Sequence, residues 1–207
     1  MPASPIIFVD GITEKRIIEA LFPGMRVRTI GLNGKDAALE AIGGKIARQI
    51  LSVSNRNWPY IAVIDREKRN DSASVIRDKL RSQIVNSELV DVKEEQLIVG
   101  VADRSIENWI ASDWEGCGLA CPPKNSYDGC FIIGKLRECN PKYKKVIDGV
   151  KLAKRADWNR VYQRSASFRE FADAVHQHGM LVEYLQGQIT QHIVFSEATL
   201  SEPEPRM

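Results

Sequence analysis

Two uninterrupted apolar runs, Ile6-Ile7-Phe8-Val9 and Tyr60-Ile61-Ala62-Val63-Ile64, each stop on a carboxylate, Asp10 and Asp65. Runs this short that are apolar at every position read as strands covered on both faces, the condition of a parallel sheet sandwiched between helices. Open sheets of that kind bind their ligands beyond the carboxyl ends of the strands. A chain with such strands is thereby directed to an α/β architecture with its acids gathered at one end of the sheet.

The rest of the first half keeps the alternation. The first strand leads into an amphipathic helix over 13–22, with Ile17, Ile18, Leu21 and Phe22 on one face, ended by Pro23-Gly24. A strand over 26–30 follows, then a turn and a helix over 36–53 with Ala38, Ile42, Ile46 and Ile50 along one side. After the third strand, 60–64, come a helix over 73–85, a strand over 96–101 and a helix over 104–113. This order predicts a doubly wound, mainly parallel sheet with right-handed crossovers. Beyond Asp113 a loop over 116–129 contains Pro122-Pro123, and helical patterns resume over 131–138, 143–155 and 167–186. The expected organisation is an α/β domain over 1–115, a basic and mostly helical appendage over 116–195, and a disordered tail over 196–207.

The acids suggest a metal. Residues two apart on a strand share a face, so Asp65 and Glu67 are expected to point the same way. Glu14 falls in the first turn of a helix that Thr13 can cap, just beyond Asp10. Asp10, Glu14, Asp65 and Glu67 brought together repel one another unless a cation neutralises them, and oxygen-only donors suit Mg2+ or Mn2+.

The net charge of +2 over 207 residues conceals an asymmetry, because positions 135–169 hold eleven Lys or Arg against three acids. An acidic front half joined to a basic later segment suits a phosphate-bearing polymer, although a solvated basic helix face has the same composition. Within it Lys144, Lys145, Lys151, Lys154 and Arg155 can follow a phosphate backbone, while Tyr143, Trp158 and Tyr162 either stack on bases or belong to the core. Ser165 and Ser167 either donate to a phosphate or cap a helix, and capping is preferred. No apolar run nears the roughly 20 residues of a membrane helix, and the first residues lack a leader pattern, so the expectation is a cytoplasmic protein with no membrane partner. Cys117, Cys121, Cys130 and Cys139 lack the paired spacing of structural zinc and read as free thiols.

The ordered motifs resemble a known family. A strand followed by Asp10-Gly11-Ile12-Thr13-Glu14, then Asp65-x-Glu67 after a later strand, is similar to the Toprim domain of topoisomerases, bacterial primases and the overcoming-lysogenization-defect nucleases. The family's motifs are Glu-Gly-x-Thr-Glu, or Glu-Gly-x-x-Asp, and Asp-x-Asp; Asp10 and Glu67 keep the carboxylate and change its reach by one methylene. Arg104-Ser105-Ile106-Glu107-Asn108-Trp109-Ile110-Ala111-Ser112-Asp113 resembles the Arg-x-x-Glu-x-Trp-Leu-Leu-x-Asp segment of small stand-alone Toprim proteins, and the likeness extends over about residues 6–180.

The resemblance implies a Mg2+-dependent nuclease that cleaves DNA or RNA, the effector of a bacterial phage-defence or mobile-element system beside an ABC-type ATPase. The sequence holds no Gly-x-x-x-x-Gly-Lys-Ser/Thr loop of its own. Asp10, Asp65 and Glu67 are then metal ligands, and Glu14 is a second-metal ligand or a general acid/base. Glu107 is a further catalytic candidate or a charge favourable to its helix dipole. Lys35 either reaches a phosphate or is a plain exposed lysine, and Arg104 either contacts a phosphate or pairs with Glu107. The alternative is a non-catalytic Toprim-fold module that binds nucleic acid or an ATPase.

Overall fold

The computed structural model describes residues 5–31, 37–53 and 58–178. Four strands, β1 (Ile6–Val9), β2 (Arg26–Thr29), β3 (Tyr60–Asp65) and β4 (Leu97–Ala102), alternate with α1 (Ile12–Leu21), α2 (Leu39–Leu51) and α3 (Ala73–Val85). Six further helices follow: α4 (Ile106–Ala111), α5 (Trp114–Cys117), α6 (Ile132–Cys139), α7 (Lys145–Arg155), α8 (Trp158–Arg164) and α9 (Ala166–Gln177). The strands form one all-parallel sheet in the order β2-β1-β3-β4, a Rossmann-like α/β arrangement. The short helix α8 was not foreseen, because its seven residues are too few to display a helical period. The expected continuation of the last helix to 186, the tail over 196–207 and Lys35 lie outside the described residues.

The strands are apolar at successive positions because both faces are covered. Ile7, Val9, Ile61, Val63 and Ile98 face α1, α4 and the helices α7 to α9, whereas Ile6, Phe8, Ala62, Ile64 and Val99 face α2 and α3. Successive strand side chains alternate in direction, so neighbouring residues join different cores. From β1 the chain steps outward to β2, then crosses back to β3 and on to β4. Right-handed crossovers that reverse direction must change face, which is why α1 lies on one side of the sheet and α2 and α3 on the other. The reversal makes a topological switch point between β1 and β3.

The helices of the later segment close the α1 side of the sheet. Phe168, Phe171 and Val175 of α9 share one buried cluster with Trp158 and Val161 of α8, Trp109 of α4, and the sheet residues Ile7 and Val9. Trp109 stacks on Phe171, with centroids 5.4 Å apart and 14° between planes, and meets Phe168 edge-on at 5.3 Å. Ser165 caps α9 by accepting from the Phe168 amide, and its hydroxyl donates to Asp128 Oδ1 at 2.8 Å, so capping describes this serine. The aromatics weighed as base-stacking residues are otherwise employed. Tyr143 and Trp158 are buried, and the Tyr162 hydroxyl donates to Asp173 at 2.6 Å.

The packing of α7 on α1 sets the position of Lys145. A Cβ at Gly149 would lie 3.3 Å from the Tyr143 hydroxyl and 3.4 Å from Ile17 Cδ1, so the glycine permits the close approach. Gly149 and Ala153, four residues apart, are the buried positions of α7. Lys145, four residues earlier, lies on the same stripe and is carried toward α1.

Candidate functional site

The switch point brings the first and third strands' acids together. β1 and β3 pair with Val9 opposite Val63, so Asp10 leaves its strand beside Ile64 and Asp65. Asp65 is only 2 % exposed, and its Oδ1 accepts from the Ile106 amide at 2.9 Å, which ties the end of β3 to the first turn of α4. Glu107, the next residue of α4, is 1 % exposed. The Ser105 amide and hydroxyl both donate to Asn108 Oδ1, and Asn108 Nδ2 donates to the carbonyls of Tyr127 and Cys130. The Arg104-to-Asp113 segment thus sends Glu107 into the site and Trp109 into the core, while Asp113 accepts from the Asp157 amide and from Arg160.

Glu14 arrives from α1. The helix begins at Ile12 with Gly11 as its N-cap, so Thr13 lies inside the helix and does not cap it, contrary to expectation. The Glu14 carboxylate turns back toward the amides of Gly11 and of Glu14 itself, the position a third-residue glutamate takes in a capping box. A Cβ at Gly11 would stand 3.0 Å from Glu14 Oε2, so a larger residue there would press on the carboxylate.

Glu67 does not share a strand face with Asp65, also contrary to expectation. β3 ends at Asp65, and Glu67 sits in a left-handed turn with φ 57°. Its amide donates to the Arg104 carbonyl at 2.8 Å, and Arg104 Nη1 donates to the Glu67 carbonyl at 3.0 Å. Arg104 itself has φ 83°. Two non-glycine residues held in this region cost on the order of 1–3 kcal/mol each and persist only where the surroundings impose them. Arg104 further donates to the Gly129 carbonyl and lies over the Phe131 ring at 4.5 Å, so it clamps loops together and forms no pair with Glu107.

The partner of Glu107 is Lys145. Its Nζ stands 3.4 Å from Glu107 Oε1, while both Glu107 oxygens and Asp10 Oδ1 are buried without a hydrogen bond. Lys145 was expected on a nucleic-acid face with Lys144, Lys151, Lys154 and Arg155, yet those four are exposed and Lys145 alone of the α7 group reaches the carboxylates. The signal for this was legible, because Lys145, Gly149 and Ala153 recur every four residues on the side that small residues mark as packed. Arg69 escaped notice altogether. Its guanidinium donates to the carbonyls of Asp65, Arg66 and Ala37, and its charge draws the Asp10 carboxyl downward.

The electrostatics follow from crowding and burial. Burial, then the charge of Glu14, pushes Asp10 from its ordinary 3.8 up to about 7, against hydrogen bonding from the Asp65 amide and the Arg69 charge. Glu14 is raised by burial and by Glu107, opposed by its own amide and by Lys145. Asp65 is pushed well above the carboxylate range by burial and by Glu14, Glu107 and Asp10. Burial draws Lys145 down, but Glu107, Asp65 and Glu14 together outweigh it and the ammonium is stabilised. One lysine is therefore shared among three carboxylates. Among the described residues, no three His, Cys, Asp or Glu side chains stand gathered closely enough to hold a metal ion as they are, and the four cysteines are unbridged.

This crowding has a pH signature. A carboxyl raised from 3.8 to about 7 on folding favours the folded state fully below about pH 4 and loses that advantage as pH rises through 7. The rise corresponds to roughly 4 kcal/mol. Between pH 5 and pH 8 the melting temperature of the metal-free chain is expected to fall, and to fall much less in Asp10→Asn. Equal slopes in the two proteins would refute the assignment.

Among the described residues no helix is long and apolar enough to cross a membrane. No family model, no curated protein and no solved structure matches this chain.

Proposed function

We propose that the chain is a Toprim-like nuclease that cleaves phosphodiester bonds of DNA or RNA with Mg2+ or Mn2+, acting with a partner ATPase as the effector of a bacterial defence or mobile-element system. The observation that carries this reading is the burial of Glu14, Asp65 and Glu107, with Asp10 half-buried beside them, around one lysine at the switch point of a parallel sheet. Folding alone gains nothing from such a cluster, since each carboxylate raises the others. Asp10 Oδ1 and Glu107 Oε2, buried with neither a hydrogen bond nor an ion pair, fit a hard cation, which prefers oxygen donors.

In this reading Asp10, Asp65 and Glu107 hold the ion, with Glu67 at the rim. When bound, it lowers the pKa of an attacking water and neutralises charge on the phosphoryl oxygens. The chain's own residues supply the rest. Glu14, raised by burial and kept in place by helix amides, is suited to hold a proton and release it. Lys145, which meets Glu107, places a positive charge beside the carboxylates that a phosphate oxygen can share.

A second reading, a Toprim-fold module that binds without cutting, draws on Lys145 as an internal counter-charge and on the absence of ready-gathered donors among the described residues. Calorimetric titration with Mn2+, alongside incubation with plasmid DNA, tRNA and single strands in Mg2+, Mn2+ or EDTA, separates the two. The nuclease is expected to bind the ion saturably and to lose metal-dependent cleavage in both Glu14→Ala and Asp65→Ala. Nucleic-acid binding without cleavage under every metal, with and without the ATPase, would leave the module.

A further inference from the structure

Beside the carboxylates lies a cleft of about 120 Å3 whose walls include Glu67, Lys145, Arg104 and Phe131. Phe131 is 67 % exposed, the most exposed large apolar side chain among the described residues. It is backed on one face by the Arg104 guanidinium at 4.5 Å, itself fixed by the carbonyls of Gly129 and Glu67. An exposed ring held against a fixed cation is a rigid platform with its π-face available. Cys130 lines this cleft and also a larger cavity of about 670 Å3, so the two adjoin. Lys124, Lys135 and Arg169 line the larger cavity with Asp128, as does Arg164, whose guanidinium is paired with Glu115 at 2.6 Å.

From this juxtaposition we infer that the Phe131 cleft is a stacking subsite for one unpaired nucleobase, and that the adjoining basic cavity takes the phosphates of the same strand. The inference rests on the nucleic-acid part of the proposed function and adds to it a strand path and a preference. The path runs from the carboxylates across Phe131 to Lys124 and Lys135. The outward face of α7, where Lys151 and Lys154 lie, is not part of it. The preference is for single-stranded or frayed nucleic acid, because a base within a duplex cannot present its face to Phe131 without leaving the stack. Stacking is sequence-tolerant, so selectivity is for strandedness. The chemistry favours a nucleic-acid strand over a protein partner here, since an exposed ring in one cleft adjoins a cluster of basic side chains in the next.

The test is binding in EDTA, where nothing is cut, by fluorescence anisotropy of a labelled 20-nucleotide oligothymidylate and of a labelled 20-base-pair duplex. Phe131→Ala, an exposed substitution, is expected to weaken the single strand about tenfold, the scale of one lost base stack, and the duplex less than twofold. Phe131→Trp is expected to keep the affinity, with its indole emission quenched on binding. Lys124→Ala combined with Lys135→Ala is expected to lower affinity for the single strand and to flatten its salt dependence. An unchanged single-strand affinity in Phe131→Ala, an equal loss on both substrates, or no binding of either by the parent would overturn the inference. Binding that depends on Phe131 without metal-dependent cleavage would remove the nuclease reading alone.

Discussion

Asp65→Asn is expected to make the metal-free chain more stable and at the same time to abolish its response to Mg2+ or Mn2+. Asp65 is buried among Glu14, Glu107 and Asp10, all of which oppose its charge. Asparagine keeps an oxygen to accept from the Ile106 amide and removes the charge. Near pH 8 the gain should be about 1–3 kcal/mol, the scale of relieving a buried polar group poorly compensated by its surroundings. The ion acts in the opposite direction. At a hundred times its Kd, a ligand that binds only the folded state stabilises it by about 2.7 kcal/mol, and that increment should vanish from the variant. Thermal denaturation with Mn2+ or EDTA measures both. An aspartate whose only task is to cap the first turn of α4 would change stability little on substitution, since asparagine caps about as well, and would leave any metal response intact. A gain in EDTA together with a lost metal response is expected only if the charge of Asp65 is what the site uses.

Trp109→Ala should cost about 3–5 kcal/mol, the range for truncating a large buried aromatic. Trp109 is wholly buried, stacked on Phe171, edge-on to Phe168, and donates from Nε1 to Ser167 Oγ at 2.9 Å. Those partners belong to α9, so the substitution opens the contact between α4, which carries Glu107, and the helix that closes the sheet. Trp109→Phe keeps most of the ring area and loses the hydrogen bond, a smaller deficit of about 0.5–1.5 kcal/mol. Urea unfolding with a common slope measures both. A loss below about 1 kcal/mol in Trp109→Ala would mean that α9 is not integral to the sheet's cover. The loss is larger than typical surface changes and comparable to a substantial part of a domain's stability.

Much of the fold was legible in advance because local pattern and tertiary burial agree. Ile6–Val9 and 60–64 are apolar at every position, which only a doubly covered strand requires, and the helix expected over 73–85 is the observed Ala73–Val85. That Asp10 and Asp65 lie close together was legible for the same reason, since strand ends in a parallel sheet converge on one edge. Where a residue's direction depended on a turn, the pattern failed. The period-two rule for Asp65 and Glu67 assumes a strand through position 67, but the backbone enters the left-handed region there and is held by Arg104, 37 positions away. Arg104 in turn was expected to choose between a phosphate and Glu107, and long-range carbonyls of Glu67 and Gly129 took its donors instead.

The parallel α/β sheet and the two acids at its switch point follow from local sequence, because strand burial and strand polarity are encoded within runs of five or six residues. How the charge of those acids is met depends on the packing of distant segments. The contacts of Lys145 with Glu107 and of Arg69 beside Asp10, the return of α9 onto Trp109, and the placing of Phe131 at the mouth of the site all join residues far apart in the chain. Their closeness depends on the packing of whole helices, to which a local run of side chains carries no address.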